Sequence, residues 1–101
     1  KAIQDYSTAI ELKPDDPKAY NNRGLAYYQK GELDTAIQDF SKAIKLKPDD
    51  PEAYNNRGNA YEDQGKLEQA VRDWQKVIEL EPELLPEEII KKIKRFQRSG
   101  E

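Results

Sequence analysis

The chain repeats itself every 34 residues. Residues 17–50 read PKAYNNRGLAYYQKGELDTAIQDFSKAIKLKPDD and residues 51–84 read PEAYNNRGNAYEDQGKLEQAVRDWQKVIELEPEL, identical at 17 of 34 positions without a gap. Residues 1–16 match residues 35–50 at 12 of 16 positions. A period of this length means stacked supersecondary units, each too small to bury its apolar face alone. The chain therefore divides into the second half of a truncated unit (1–16), two full units (17–50 and 51–84) and a terminal segment (85–101).

The boundaries carry duplicated punctuation. Pro14-Asp15-Asp16-Pro17 recurs as Pro48-Asp49-Asp50-Pro51. Pro14 biases Lys13 away from helical geometry, Asp16 suits an N-cap, and Pro17 suits the first helical position, where a missing N–H is harmless. Gly31 and Gly65 suit left-handed helix ends. Helices are predicted over 1–12, 17–30, 33–46, 51–64 and 67–80, and the short connections make sequential helices antiparallel neighbours. The fold class is all-α.

Small residues recur at fixed places: Gly24 and Ala36, then Gly58 and Ala70. A glycine inside a helix costs about 1 kcal/mol against alanine, so its recurrence implies close packing. Tyr20, Tyr27, Leu33, Ile37, Phe40, Ile44 and Leu46 are the expected core of the first unit. Tyr54, Tyr61, Leu67, Val71, Trp74, Ile78 and Leu80 are that of the second. After Pro82 the period is lost, and Pro86-Glu87-Glu88 opens a last helix. Its stripe is Leu85, Ile89, Ile90, Ile93 and Phe96, and Lys91, Lys92, Lys94, Arg95 and Arg98 cover the rest. A helix of this kind caps the open end of an array. The competing reading is a basic amphipathic helix lying on a membrane or an acidic partner. Residues 99–101 are expected to fray.

Composition removes several classes of function. The net charge is −3 with 37% charged residues, which does not suit a nucleic-acid binder. No apolar run approaches the roughly 20 residues of a membrane span. Cys and His are both absent, which excludes disulfides, the commonest nucleophile–base pairs and zinc sites. No cofactor or enzyme activity is expected. The compartment is open, with the cytoplasm favoured.

The repeated residues resemble the tetratricopeptide repeat, a 34-residue helix–turn–helix. The matching positions are Tyr20, Gly24, Tyr27, Ala36, Phe40, Ala43 and Pro48, then Tyr54, Gly58, Tyr61, Ala70, Trp74 and Pro82, with Val77 where a small residue is usual. Tyr6, Ala9 and Pro14 match in the leading half-unit. The resemblance implies a right-handed superhelical solenoid of about two and a half repeats plus a capping helix. Arg23 and Arg57 depart from it, standing where the family has a large apolar residue. Asp5, Asp39 and Asp73 recur on the second helices, and the expectation is that each Arg pairs with such an Asp and links one helix pair to its neighbour.

In that family the first helices line a concave face that holds an extended peptide or a partner helix. Carried onto this chain, the lining is Lys18, Asn21, Asn22, Leu25, Tyr28 and Gln29, then Glu52, Asn55, Asn56, Asn59, Glu62 and Asp63. Asn suits the role, because its amide can hold both a peptide C=O and a peptide N–H. Asn22 and Asn56 are similar to the asparagine ladder in the repeats of O-linked N-acetylglucosamine transferases. The branch that clamps chaperone C-terminal carboxylates wants lysine where Asn21 and Asn55 stand, so chaperone-tail binding is not expected. The resemblance thus implies a protein or peptide partner. The alternative function is self-assembly into a homo-oligomer through the open stripe of Ala2, Ile3, Tyr6 and Ile10. That stripe is also what the cut end of a longer array would expose.

Overall fold

In the computed structural model, which describes residues 2–99, α1 spans Ala2–Leu12, α2 Pro17–Gln29, α3 Leu33–Leu46, α4 Pro51–Asp63, α5 Leu67–Leu80 and α6 Glu87–Ser99. A 3-10 turn at Pro82–Leu84, which the sequence pattern did not signal, leads into α6. The helices stack in chain order as antiparallel pairs, α2 on α3 and α4 on α5, into a body of 47 × 25 × 19 Å. This is the expected all-α array.

The punctuation works as its chemistry demands. Asp16 and Asp50 cap α2 and α4, each accepting from the N–H two residues on at 3.1 Å. α2 and α4 end one residue earlier than expected, because Lys30 and Gln64 are already the caps. Gly31 and Gly65 follow with φ of 84° and 78°. Glu32 N–H then reaches back to the Tyr27 carbonyl, and Gly31 N–H to that of Tyr28, closing the helix with a paired turn that requires the left-handed residue. Ser99, expected to fray, is the last residue of α6. Lys1, Gly100 and Glu101 lie outside the described residues.

Close packing explains the helical glycines. A methyl group on Gly24 would lie 2.6 Å from the Phe40 ring and 3.2 Å from the Ala36 carbonyl. On Gly58 it would lie 2.7 Å from Trp74 Nε1 and 3.3 Å from the Ala70 carbonyl. Phe40 and Trp74 are fully buried by this contact. One expected core residue, Leu67, and a further apolar residue, Leu12, are exposed instead. Leu12 lies at the end of α1, whose main packing among the described residues is on α2, and is 82% exposed. Leu67 opens onto a cleft where the end of α6 stands off the start of α5.

α6 is a cap. Leu85 and Ile93 are buried against Val71, Trp74 and Val77, with Ile89, Ile90 and Phe96 packed around them. Lys91, Lys94, Arg95 and Arg98 are left in solvent. Among the described residues no helix is long and apolar enough to cross a membrane.

Arg23 and Arg57 do pair with aspartates, but within their own repeats. Arg23 grips Asp39 through two hydrogen bonds of 2.8 Å, and Arg57 grips Asp73 in the same way. The link to the preceding unit is made by a third N–H of each guanidinium, to Ser7 at 3.2 Å and to Ser41 at 3.1 Å. Each guanidinium also lies about 6 Å from the centroids of two tyrosines on its own helix, Tyr20 and Tyr27 or Tyr54 and Tyr61. A planar cation that stacks on rings and fills a carboxylate fork can occupy a site where an apolar side chain is usual.

Candidate peptide-binding groove

A groove of about 440 Å³ runs between α2 and α4. Six of the twelve expected binding residues line it: Lys18, Asn21, Asn22 and Leu25 from α2, and Glu52 and Asn56 from α4. Helical spacing puts the α2 residues on one stripe, and the Pro-Asp-Asp-Pro turn brings α4 alongside in register. Asn56 Nδ2 donates to Asn21 Oδ1 at 3.0 Å, tying the two helices across the groove floor. Asn21 keeps its Nδ2 hydrogens and Asn56 keeps its Oδ1. Asn22 is exposed and makes no side-chain hydrogen bond among the described residues.

The other six are placed elsewhere or already engaged. Tyr28 donates its hydroxyl to Asp63 at 2.7 Å. Burial first, and then that hydrogen bond, pushes the Tyr28 phenol up to about 12, so it stays a donor. Glu62 is held by Lys92 of α6. Asn59 accepts from the buried Trp74 indole at 3.3 Å. Gln29 lines a separate opening beside α1. Asn55 is half-buried and does not line the groove.

Sequence reasoning missed the rim. Asp16, Lys47 and Asp50 also line the groove. Lys47 is a second groove lysine beside Lys18, and it comes from outside the first helices. It sits in the turn before α4, so its position follows from how the units stack rather than from any helix face. The groove thus carries two lysines against three carboxylates, two of which already cap helices. On the open stripe, Ala2 is exposed and Ile3 and Tyr6 are half-buried, but Ile10 is buried at 9% exposure. Ile10 therefore belongs to the core and offers little surface to a partner.

Known proteins share this architecture. A family model described as TPR repeat matches residues 1–31 and 24–65, and one described as Tetratricopeptide repeat matches residues 51–84. Comparison with curated protein sequences returns no match. Among solved structures, the first TPR of Spaghetti (RPAP3) bound to the HSP90 peptide SRMEEVD superposes with a TM-score of 0.84 at 29% identity, over 96% of this chain and 75% of that one. The Arabidopsis OM64 TPR domain gives 0.85 at 28% identity, over 97% and 79%. The MamA protein gives 0.75 at 38% identity, over 80% of this chain but only 44% of that one. Fold, internal period and family models agree, and the chain belongs to the tetratricopeptide repeat family.

Proposed function

We propose that this chain is a binding module, not an enzyme, and that it holds an extended segment of a partner protein along the groove between α2 and α4, the concave face of the array. The observation that carries the reading is the Asn21–Asn56 hydrogen bond. It leaves one amide with donors to spare and its neighbour with an acceptor, the complement of a single peptide unit. Leu25 supplies apolar floor, and Asn22 extends the polar row along α2. Each backbone hydrogen bond contributes about 0.5–1.5 kcal/mol, so the grip is weak and tolerant of peptide sequence. Use of the fold in the Spaghetti domain, which is bound to a peptide, supports the class of ligand. Asp16, Asp50 and Glu52 at the groove disfavour an acidic tail, so neutral or basic segments are the better fit.

The test is capture from a peptide library, followed by calorimetric titration of the best binder. Replacing Asn22 and Asn56 together with alanine is expected to weaken that binder at least about fivefold. The acidic peptide SRMEEVD is expected to bind less tightly than a neutral peptide of the same length. An affinity that the double replacement leaves unchanged would remove the groove from the mechanism.

A further inference from the structure

α6 commits one face to the core and turns a different one outward. Ile93 is buried, and Ile89, Ile90 and Phe96 pack beside it. Lys91, Lys94, Arg95 and Arg98 are all exposed. Their spacing of three, one and three residues places them on a single stripe of the helix. None of the four has a carboxylate partner among the described residues. α6 carries five basic and two acidic residues, a net +3, in a chain of net charge −3, so all other residues together carry −6. The stripe is a cationic island on an acidic molecule. α6 also has no glycine, the residue at which α2 and α4 close on their second helices, so the stripe is not the pairing face of a repeat.

The stripe runs into a cleft of about 290 Å³ between the ends of α4 and α6 and the start of α5. Leu67 and Phe96 give it apolar walls, and Leu67 is 38% exposed there. Arg95 lines the cleft as well, so the stripe and the cleft share a residue. Glu62, the acid in the wall, is already neutralised by Lys92 and does not cancel the positive charge at the mouth. An apolar cavity of about 150 Å³ holds benzene, so this one admits a leucine side chain.

We propose that the outer stripe of α6 and this cleft together form a docking site, separate from the groove between α2 and α4, for an acidic segment of a partner protein with one leucine among its carboxylates. The leucine enters between Leu67 and Phe96, and the flanking carboxylates lie along Arg95, Arg98, Lys94 and Lys91. Charge complementarity specifies the acids, and the apolar walls specify the leucine as an anchor. The groove between α2 and α4 disfavours the same segment, because Asp16, Asp50 and Glu52 face it. A membrane surface is a poorer occupant, since a helix lying on lipid must insert its apolar face and α6 keeps that face in the core. The charge of −6 on the rest of the chain opposes a nucleic acid.

The probe is the peptide EEEELEEEE, blocked at both ends so that no terminal carboxylate contributes, titrated calorimetrically into the full chain at low salt. Lys94→Glu with Arg98→Glu is expected to weaken it at least about tenfold. Serine in place of the probe's leucine is expected to weaken it at least about threefold, a comparison made on the unaltered protein. Leu67→Ser is expected to weaken the leucine probe by a like factor and to leave the serine probe unaffected. Asn22→Ala with Asn56→Ala is expected to change nothing. No binding to the wild type, or equal affinity for the leucine and serine probes, would overturn the proposal. A loss of binding in the asparagine variant but not in the α6 variant would do the same by placing the peptide in the groove. So would either of two other occupants: phosphatidylserine vesicles that bind through Lys94 and Arg98 and are not displaced by the probe, or a dimer of the free chain that Lys94→Glu with Arg98→Glu dissociates.

Discussion

Arg57 holds Asp73 with a two-pronged grip, Nε to one carboxylate oxygen at 2.8 Å and Nη2 to the other at 2.7 Å, while its third nitrogen reaches Ser41 on the preceding unit. The hydrogen bond to Asp73 holds the guanidinium above its ordinary value, with burial opposing. The Asp73 side chain is only 6% exposed. Arg57→Leu leaves a buried carboxylate without its cation and is expected to destabilise the fold by about 3–5 kcal/mol. Arg57→Leu with Asp73→Leu is expected to recover most of that loss, since apolar pairs often replace buried ion pairs without penalty. Urea unfolding of the wild type, the single and the double variant measures both. A single variant as stable as wild type would show that the pair stabilises nothing.

The glycines divide into two kinds, and alanine separates them. At Gly58 the new methyl group meets the fully buried Trp74 ring and the Ala70 carbonyl. Overpacking costs about 1–3 kcal/mol, which offsets or exceeds the roughly 1 kcal/mol that alanine gains in helix propensity. At Gly31 no atom lies within 4 Å of the new methyl, so the loss comes from the left-handed backbone alone, about 1–2 kcal/mol. Adding Trp74→Leu is expected to relieve the Gly58→Ala clash and to leave the Gly31→Ala penalty untouched. Chemical denaturation of the two double variants against their singles checks this.

Asn59 is expected to act on stability rather than on peptide capture. It accepts the indole N–H of Trp74, which is otherwise fully enclosed. Asn59→Leu leaves that donor unsatisfied, a loss of about 1–3 kcal/mol. Asn59→Leu with Trp74→Phe reproduces the Leu25 and Phe40 pairing of the first repeat and is expected to regain most of it. Peptide affinity should be the same in both variants, and thermal unfolding beside peptide titration tests the two halves of the statement.

Tyr28 gives the fold an alkaline sensitivity of known sign. Its phenol is raised to about 12 from an ordinary value of 10.0. The folded state therefore keeps its proton where the unfolded chain loses it. This contribution is fully present below about pH 10 and is lost as pH rises toward 12. Tyr28→Phe is expected to flatten the stability difference between pH 9 and 12 relative to the wild type. Denaturation midpoints of the two proteins across that range give the comparison, and parallel curves would mean that Tyr28 does not contribute.

The ends of α3 are legible to the residue from Gly31 and the Pro48-Asp49-Asp50-Pro51 turn, and those of α5 from Gly65 and Pro82, because these are local chemistry. The contacts between units were harder to read. Asn21 with Asn56 and Tyr28 with Asp63 are both 35 residues apart, an offset fixed by how far one helix slides along the next. No single-helix pattern contains that slide. Two signals were present and unused. Ser7 and Ser41 recur one period apart, as a linking hydroxyl would. The change from Leu25 and Phe40 to Asn59 and Trp74 pairs a new acceptor with a new donor. Leu67 was misjudged because its cover depends on α6, which lies outside the period.

α1 contributes one buried residue, Ile10, whereas α5 contributes Ala70, Val71, Asp73, Trp74 and Val77 and is overlaid by α6. In a linear stack, strength under load is set by the weakest joint. A partner tugging on this chain from its first helix would peel α1 from α2 before anything else yielded, while the same pull on α6 would meet an interlocked core. Within residues 2–99 the α1–α2 joint is therefore the compliant one and the α5–α6 joint the stiff one, and the direction from which tension arrives decides whether this stretch gives way gradually or holds.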